Sequence, residues 1–149
     1  MSHVANISTK QIKFDLEIVK ELCRRQGWLF MENQKTYAWY GRFVGDAPQA
    51  EDVKIEDYGK CDHAIKIPGC SYELGLRVTG NGLYNVIGDF WKGGQLDKVL
   101  GAQGEVFGQL YNMTNDIMWA EAKGYSWEEI EAETLGNKKI SICVPEVTW

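Results

Sequence analysis

The sequence predicts an α+β fold: a mainly antiparallel sheet, two main helices on one face of that sheet, and a C-terminal hairpin. Three observations predict this class. Residues 72–91 have the alternation of a β-hairpin, residues 95–123 have the period of a helix, and residues 125–147 have the pattern of a second hairpin. The economical topology for these elements is ferredoxin-like, built on a split β-α-β core.

The clearest element is the hairpin of residues 72–91. Apolar residues alternate with polar or small ones on both sides of the turn Gly80-Asn81-Gly82; they are Leu74, Leu76, Val78, Tyr84, Val86 and Phe90. A three-residue loop with Gly82 in the left-handed conformation pairs Val78 with Tyr84 and Leu76 with Val86. This register keeps the apolar side chains on one face of the sheet.

The same register places Glu73 opposite Asp89 on the other face. Directly opposed like charges are unfavourable in a sheet. The two acids therefore either form a carboxylate pair with one raised pKa or a bound cation, or lie solvated at the end of the strand. Together with Arg77 and Trp91, they form a candidate ligand site or active site on the open face of the hairpin.

Signals for the other elements precede and follow this hairpin. Asp15 is placed to cap a helix that Gly27 ends. Strands are predicted at residues 7–12, 28–30, 37–43 and 61–67, and residues 44–60 form a loop excursion. The second hairpin is expected to turn at Gly136-Asn137. One strip of it is acidic, with residues Glu128, Glu129, Glu131 and Glu133.

The helix predicted for residues 95–123 contains three glycines, Gly101, Gly104 and Gly108, beside its apolar stripe. An unbroken helix would be over 40 Å long, at about 1.5 Å per residue. Each glycine costs up to about 1 kcal/mol in a helix interior. The glycines therefore indicate either a break near residues 101–104 or a close approach to the sheet or to a second chain.

Composition limits the classes of function. The length of 149 residues fits one domain, residues 1–149, and the net charge of −5 argues against a broad nucleic-acid surface. Six Trp and seven Tyr are many for this length, and such residues are favoured at interfaces. No apolar run reaches a membrane span and no signal peptide is recognised. We expect a cytoplasmic protein, in which the four scattered cysteines would be reduced.

Two further groups of residues are candidate binding sites. Cys61, His63 and Cys70 are zinc-type ligands, but their spacing is unusual, and core thiols with a strand histidine is the favoured interpretation. No cofactor is predicted. The aromatic residues Tyr37 and Trp39 start a run that continues to Phe43, flanked by Lys35 and Arg42. This run either packs in the core or stacks the bases of a nucleotide or single-stranded nucleic acid.

Several motifs resemble a known family. They are Met1-Ser2-His3, Cys61-x-His63-Ala64-Ile65 leading to Pro68-Gly69, Tyr72-Glu73-Leu74-Gly75-Leu76, and Gly88-Asp89-Phe90-Trp91 followed by Gly93-Gly94. The chain is similar to the DUF1257, or Ycf35-like, proteins of bacteria, phages, cyanobacteria and algal plastids. The resemblance implies a small ferredoxin-like α+β protein without an activity to transfer. Genes for AAA-type ATPases near members imply an accessory role beside such an ATPase.

The favoured function is therefore a non-enzymatic interaction or accessory protein. An acidic surface, spare aromatic residues and the absence of a catalytic set favour docking on a protein partner or self-association, through edge strands and the long helix. The alternative is a small-ligand or nucleotide binder, or an enzyme, that uses Glu73, Arg77, Asp89 and Trp91. A phage-encoded member would sequester a host nucleotide or host protein.

Overall fold

A computed structural model of the chain describes residues 2–8, 13–130 and 138–145. Its strands are β1 Val4–Asn6, β2 Leu29–Met31, β3 His63–Lys66, β4 Leu74–Val78, β5 Tyr84–Asp89, β6 Ser126–Ile130 and β7 Lys139–Cys143. Its α-helices are α1 Leu16–Gln26, α2 Leu96–Leu100 and α3 Glu105–Ala122. Within these described residues, none of the helices has the length and apolar character needed to span a membrane.

Five strands form one antiparallel sheet in the order β1-β5-β4-β3-β2, and β6 pairs with β7 in a separate hairpin. The chain is therefore α+β, as predicted. The ferredoxin-like detail differs. In a split β-α-β unit one strand lies between the two strands that the helix joins. Here α1 joins β1 and β2, which lie at opposite edges with three strands between them.

The register of the central hairpin is confirmed. Val78 pairs with Tyr84 and Leu76 pairs with Val86. Beyond the Val78–Tyr84 pair, the Thr79 amide donates to the Leu83 carbonyl at 2.7 Å, which leaves a loop of three residues, 80–82. Gly82 in this loop is left-handed with φ 75°. The pairing follows from the period-2 pattern, because a shift of one residue would move every apolar side chain to the wrong face.

The two ends of α1 are also as predicted. The Asp15 carboxylate accepts the Glu17 amide at 2.9 Å and the Ile18 amide at 3.4 Å, so it satisfies donors that the first turn leaves free. Gly27 ends the helix in the left-handed conformation. Val19 and Leu22 are buried on the face of α1 that packs against α3 and the sheet.

The long helical segment is broken at its glycines. Gly101 and Gly104 have φ of 89° and 77°, and they bound the turn between α2 and α3. Gly104 also makes a close approach, because a Cβ placed there would lie 2.7 Å from atoms of both Ile7 and Phe90. The glycines of the predicted helix indicated either a break or a close approach to the sheet. In the structure the helix breaks at Gly101 and Gly104, and Gly104 also approaches the sheet closely.

Buried side chains form two clusters on opposite faces of the sheet. Ile65, Leu74 and Leu76 face the helices, whereas Ala64 and Ile87 face the other way. On that second face they are covered by buried side chains of the loop region, namely Tyr37, Ala50, Val53, Tyr58 and Cys61. The sheet therefore lies between the helices and residues 37–61.

One of the predicted strands is wrong. Residues 37–43 contain no strand. Tyr37 packs flat over Gly75 and Gly41 has φ 102°, which breaks the alternation that the aromatic run suggested. The first described strand is Val4–Asn6. Of the strand predicted at residues 7–12, residues 7 and 8 are not in a strand, and residues 9–12 lie outside the described part.

The C-terminal hairpin packs on α1 and α3 through one polar and aromatic junction. The Arg25 guanidinium lies 5.3 Å from the centroid of the Trp127 ring and 2.9 Å from a Glu121 carboxylate oxygen. The Trp127 indole donates to the same oxygen at 3.2 Å. The predicted turn at 136–137 and two members of the acidic strip, Glu131 and Glu133, lie outside the described residues.

Candidate binding groove along the edge of the sheet

Among the residues that the structure describes, strand β1 pairs on one side only, with β5. At its ends, the His3 carbonyl accepts the amide that follows β5 at 2.9 Å, and the Ile7 amide donates to a β5 carbonyl at 2.8 Å. Bonded and non-bonded residues alternate in an antiparallel pair, so Ala5 bonds to β5 while Val4 and Asn6 direct their amides and carbonyls away from it. Among the described residues, these outward backbone groups have no hydrogen-bond partner.

Two neighbouring cavities lie along this free edge. The first has a volume of about 340 Å³ and lies between Val4 and the loop of residues 47–51. The second has a volume of about 590 Å³ and is lined by Ile7, Phe14 and Gly108. Ala5, Asn6, Ala102 and Gln103 line both cavities. We call the two cavities with the β1 edge between them the edge groove.

The cavities lie on different faces of the sheet. Val4 belongs to the cluster under residues 37–61, whereas Phe14 belongs to the helix-face cluster and Ile7 packs against it. The turn between α2 and α3 supplies the opposite wall of the groove, because it is held over the sheet where Gly104 meets Ile7. An added strand directs alternate side chains to opposite faces. The edge groove therefore offers backbone partners in the middle and side-chain space on both sides.

Asp89, a predicted site residue, is fully buried and holds three chain segments together. Its Oδ1 accepts the His3 amide at 2.8 Å and the Trp91 amide at 3.1 Å, and its Oδ2 accepts the Tyr40 amide at 3.0 Å. Amide donors of this kind stabilise a buried carboxylate. Asp89 fixes the start of β1 and therefore positions one end of the edge groove.

Glu73 is held by a different set of partners. Its Oε1 accepts the Ala38 amide at 2.9 Å and the Gln34 side-chain amide at 3.0 Å. Each of the two opposed acids is thus bound by donors from the segment that covers the sheet. Asp89 is fully buried, so the two acids are not a solvated pair at the end of the strand.

Trp91 lies in a half-buried aromatic cluster beside Asp89. Its ring meets Tyr40 edge-on, with 5.8 Å between ring centroids, and it folds over Gly93. Tyr72 packs over Gly94, and burial raises the pKa of its hydroxyl. The structure brings Trp91 and Asp89 together, but the amides on Asp89 leave it without an open side toward a ligand.

The remaining predicted residues cover the sheet or anchor its cover. Tyr37 lies on Gly75 so closely that a Cβ there would overlap its ring, and Trp39 packs against the same cluster. Arg77 binds Asp57 at 3.5 Å and donates to the Asp57 carbonyl at 3.4 Å. The expectation of an open hairpin face is therefore wrong around Gly75.

The three weak metal candidates are held separately. The thiols of Cys61 and Cys70 donate to different backbone carbonyls, at 3.1 and 3.6 Å, and the His63 Nδ1 accepts a backbone amide at 2.9 Å. Burial raises the pKa of Cys61 to about 12, so this thiol stays protonated at neutral pH. In the described part of the chain, no three His, Cys, Asp or Glu side chains are grouped to hold a metal ion.

His63 is predicted to make the fold sensitive to acid. It lies between the Phe30 and Tyr84 rings and accepts the Asn33 amide, and burial lowers its pKa. A lowered folded-state pKa gives stability that is complete above the unfolded value, near 6.5, and is lost as pH falls through the folded value. Urea unfolding should show a smaller loss of stability between pH 7 and pH 5 for His63→Gln than for the wild type. An equal loss would contradict this role.

The sequence reasoning missed the β1 edge itself. The strand has only three residues, which is too short for an alternation to be recognised. Gly108 carries a signal in the sequence, because it is a glycine beside the apolar stripe of a predicted helix. Its place in a cavity next to Phe14 becomes evident only when the two segments are folded together.

A scan against models of protein families, a search of curated proteins and a search of solved structures each gave no match. The similarity to the DUF1257 family therefore stays a prediction.

Proposed function

We propose that this protein is an interaction module that binds an extended segment of a partner protein in the edge groove. The partner segment adds a strand to β1 and forms hydrogen bonds with the outward backbone groups of Val4 and Asn6. The observation that carries the proposal is that these unpaired groups lie between two cavities instead of on a covered edge. The resemblance to the DUF1257 family and the accessory role beside an AAA-type ATPase are further proposals, on which the groove does not depend.

A single extended segment fits the groove better than the sheet edge of a second copy. The loop of residues 47–51 and the turn at Ala102 and Gln103 flank the edge of β1. A narrow strand enters such a groove, whereas a complete second sheet needs an open rim. Natural sheets commonly protect exposed edges, because a free edge pairs with other chains. In this protein the flanking loop and turn would limit which chains reach the edge.

The replacement Asn6→Pro is predicted to abolish this binding without unfolding the sheet. The Asn6 amide points away from β5, and proline is tolerated where an edge amide has no internal partner. Asn6→Ala is the matched control, because both variants lose the side-chain bonds to the Glu51 carbonyl and from the Ser8 amide. Linear peptides selected on the wild type from a random displayed library should bind Asn6→Pro about tenfold more weakly, or worse, than Asn6→Ala.

Two results would overturn the proposal. One is that no linear peptide is enriched over an unrelated protein, or that the enriched peptides bind both variants equally. The other comes from light scattering. If Asn6→Ala is a dimer and Asn6→Pro is a monomer, the edge is occupied by a second copy and not by a partner segment.

A further inference from the structure

We infer that the helix-face cavity of the edge groove selects a bulky apolar side chain that has a basic side chain two positions away in the same segment. This inference rests on the proposed strand addition and names the chemistry of the partner segment. The cavity has a volume of about 590 Å³ and is walled by Ala5, Ile7, Phe14 and Gly108. A space of this size, with mostly apolar walls, is typical of a binding pocket.

Gly108 supports the inference because the fold itself does not require a glycine there. It is the one glycine within the described α-helices, in the interior of α3. Its backbone has no left-handed φ, and a Cβ at this position would meet nothing within 4 Å. Glycine costs up to about 1 kcal/mol at such a site compared with alanine. The missing side chain leaves open part of the cavity that Phe14 and Ile7 also line.

The charge of the cavity specifies the second residue. Of the described residues that line it, Glu105 is the one with a charge, and it is exposed. Its Oε2 accepts the Gln103 amide at 3.0 Å, and a carboxylate has lone pairs for further donors. Side chains two residues apart on a strand lie on the same face. A Lys or Arg two positions from the apolar anchor therefore reaches Glu105, which complements the net charge of −5.

The probe for this inference is a fluorescein-labelled peptide, Ser-Lys-Thr-Leu-Thr-Lys-Ser, with blocked ends, which has a lysine two positions from the leucine in both strand directions. Two comparison peptides replace the leucine with alanine or both lysines with glutamate. Fluorescence anisotropy on the full chain should show saturable binding of the leucine peptide below about 1 mM, and binding about tenfold or more weaker for the alanine peptide. The glutamate peptide should bind more weakly than the lysine peptide on the wild type but equally on Glu105→Gln.

Matched variants at residue 108 test the pocket. Gly108→Met fills the cavity. It should lower the affinity of the leucine peptide about tenfold, without changing the affinity of the alanine peptide. Gly108→Ala adds only a methyl group into open space. Its affinity for the leucine peptide should therefore stay within about twofold of the wild-type affinity. Circular dichroism and urea unfolding report whether each variant is folded.

The outcomes separate the two proposals. If library peptides distinguish Asn6→Pro from Asn6→Ala but Gly108→Met has no effect, strand addition stands and the apolar pocket is wrong. If the leucine peptide does not bind the wild type, or binds no better than the alanine peptide, the pocket is likewise overturned. If Asn6→Pro binds every peptide as well as Asn6→Ala does, strand addition itself fails.

Discussion

Replacing Asp89 with alanine is expected to lower the free energy of unfolding by about 3–5 kcal/mol. The carboxylate is fully buried and accepts backbone amides from His3, Tyr40 and Trp91. Alanine leaves these three donors without their acceptor, and each buried unpaired amide costs about 1–3 kcal/mol. The total free energy of unfolding of a domain is about 5–15 kcal/mol, so the variant is expected to be marginally stable.

Urea unfolding of Asp89→Ala, Asp89→Asn and Glu73→Gln tests this role. Asp89→Asn keeps one acceptor oxygen but turns the NH2 of its side-chain amide toward a backbone donor. We therefore expect the free energy of unfolding to fall by about 2–3 kcal/mol. Glu73 is the matched acid, because its carboxylate is less buried and accepts a single backbone amide. Its glutamine variant should lose less than about 1 kcal/mol. Equal losses for Asp89→Asn and Glu73→Gln would contradict the role assigned to Asp89.

Replacing Gly104 with alanine is expected to cost about 2–4 kcal/mol, from a left-handed backbone and from overpacking against Ile7 and Phe90. Gly108→Ala is the control, only one helical turn away. It should raise the free energy of unfolding by up to about 1 kcal/mol, because its Cβ enters open space and alanine is the better helix former.

The two glycine variants are compared by their urea midpoints. Opposite signs are predicted, because Gly104 is required by the turn and Gly108 is not. If both variants are destabilised by similar amounts, Gly108 has a packing role, and its place in the cavity would need no explanation from binding. If Gly104→Ala has no effect, the turn is not held over the sheet as described.

The sequence predicts local structure well where a short-range pattern decides it. The register of the central hairpin follows from the period-2 alternation and the glycine at 82, and both ends of α1 follow from Asp15 and Gly27. The helix break at residues 101–104 was one of two open interpretations, because glycine spacing alone does not separate a turn from a close approach.

Long-range packing decides the features that the sequence did not predict. Residues 37–43 alternate like a strand, yet Tyr37 covers Gly75 and the segment packs as an irregular layer. Asp89 resembles an exposed acid at a strand end until two distant amides, those of His3 and Tyr40, converge on it beside the local Trp91 amide. The edge groove combines residues from 3–7, 47–51 and 102–108 with Phe14, which no local pattern connects.

Amide hydrogen exchange along β1 measures whether the outward amides of this strand are free to bond to a partner segment. In the free protein, the amides of Ala5 and Ile7 should be protected by β5, whereas those of Val4 and Asn6 should exchange at least about tenfold faster. A peptide selected on the wild type should then slow exchange at Val4 and Asn6 and leave Ala5 and Ile7 unchanged. Strand addition at β1 is contradicted if the Val4 and Asn6 amides are already as protected as their neighbours in the free protein. It is also contradicted if a bound peptide leaves the exchange of these two amides unchanged.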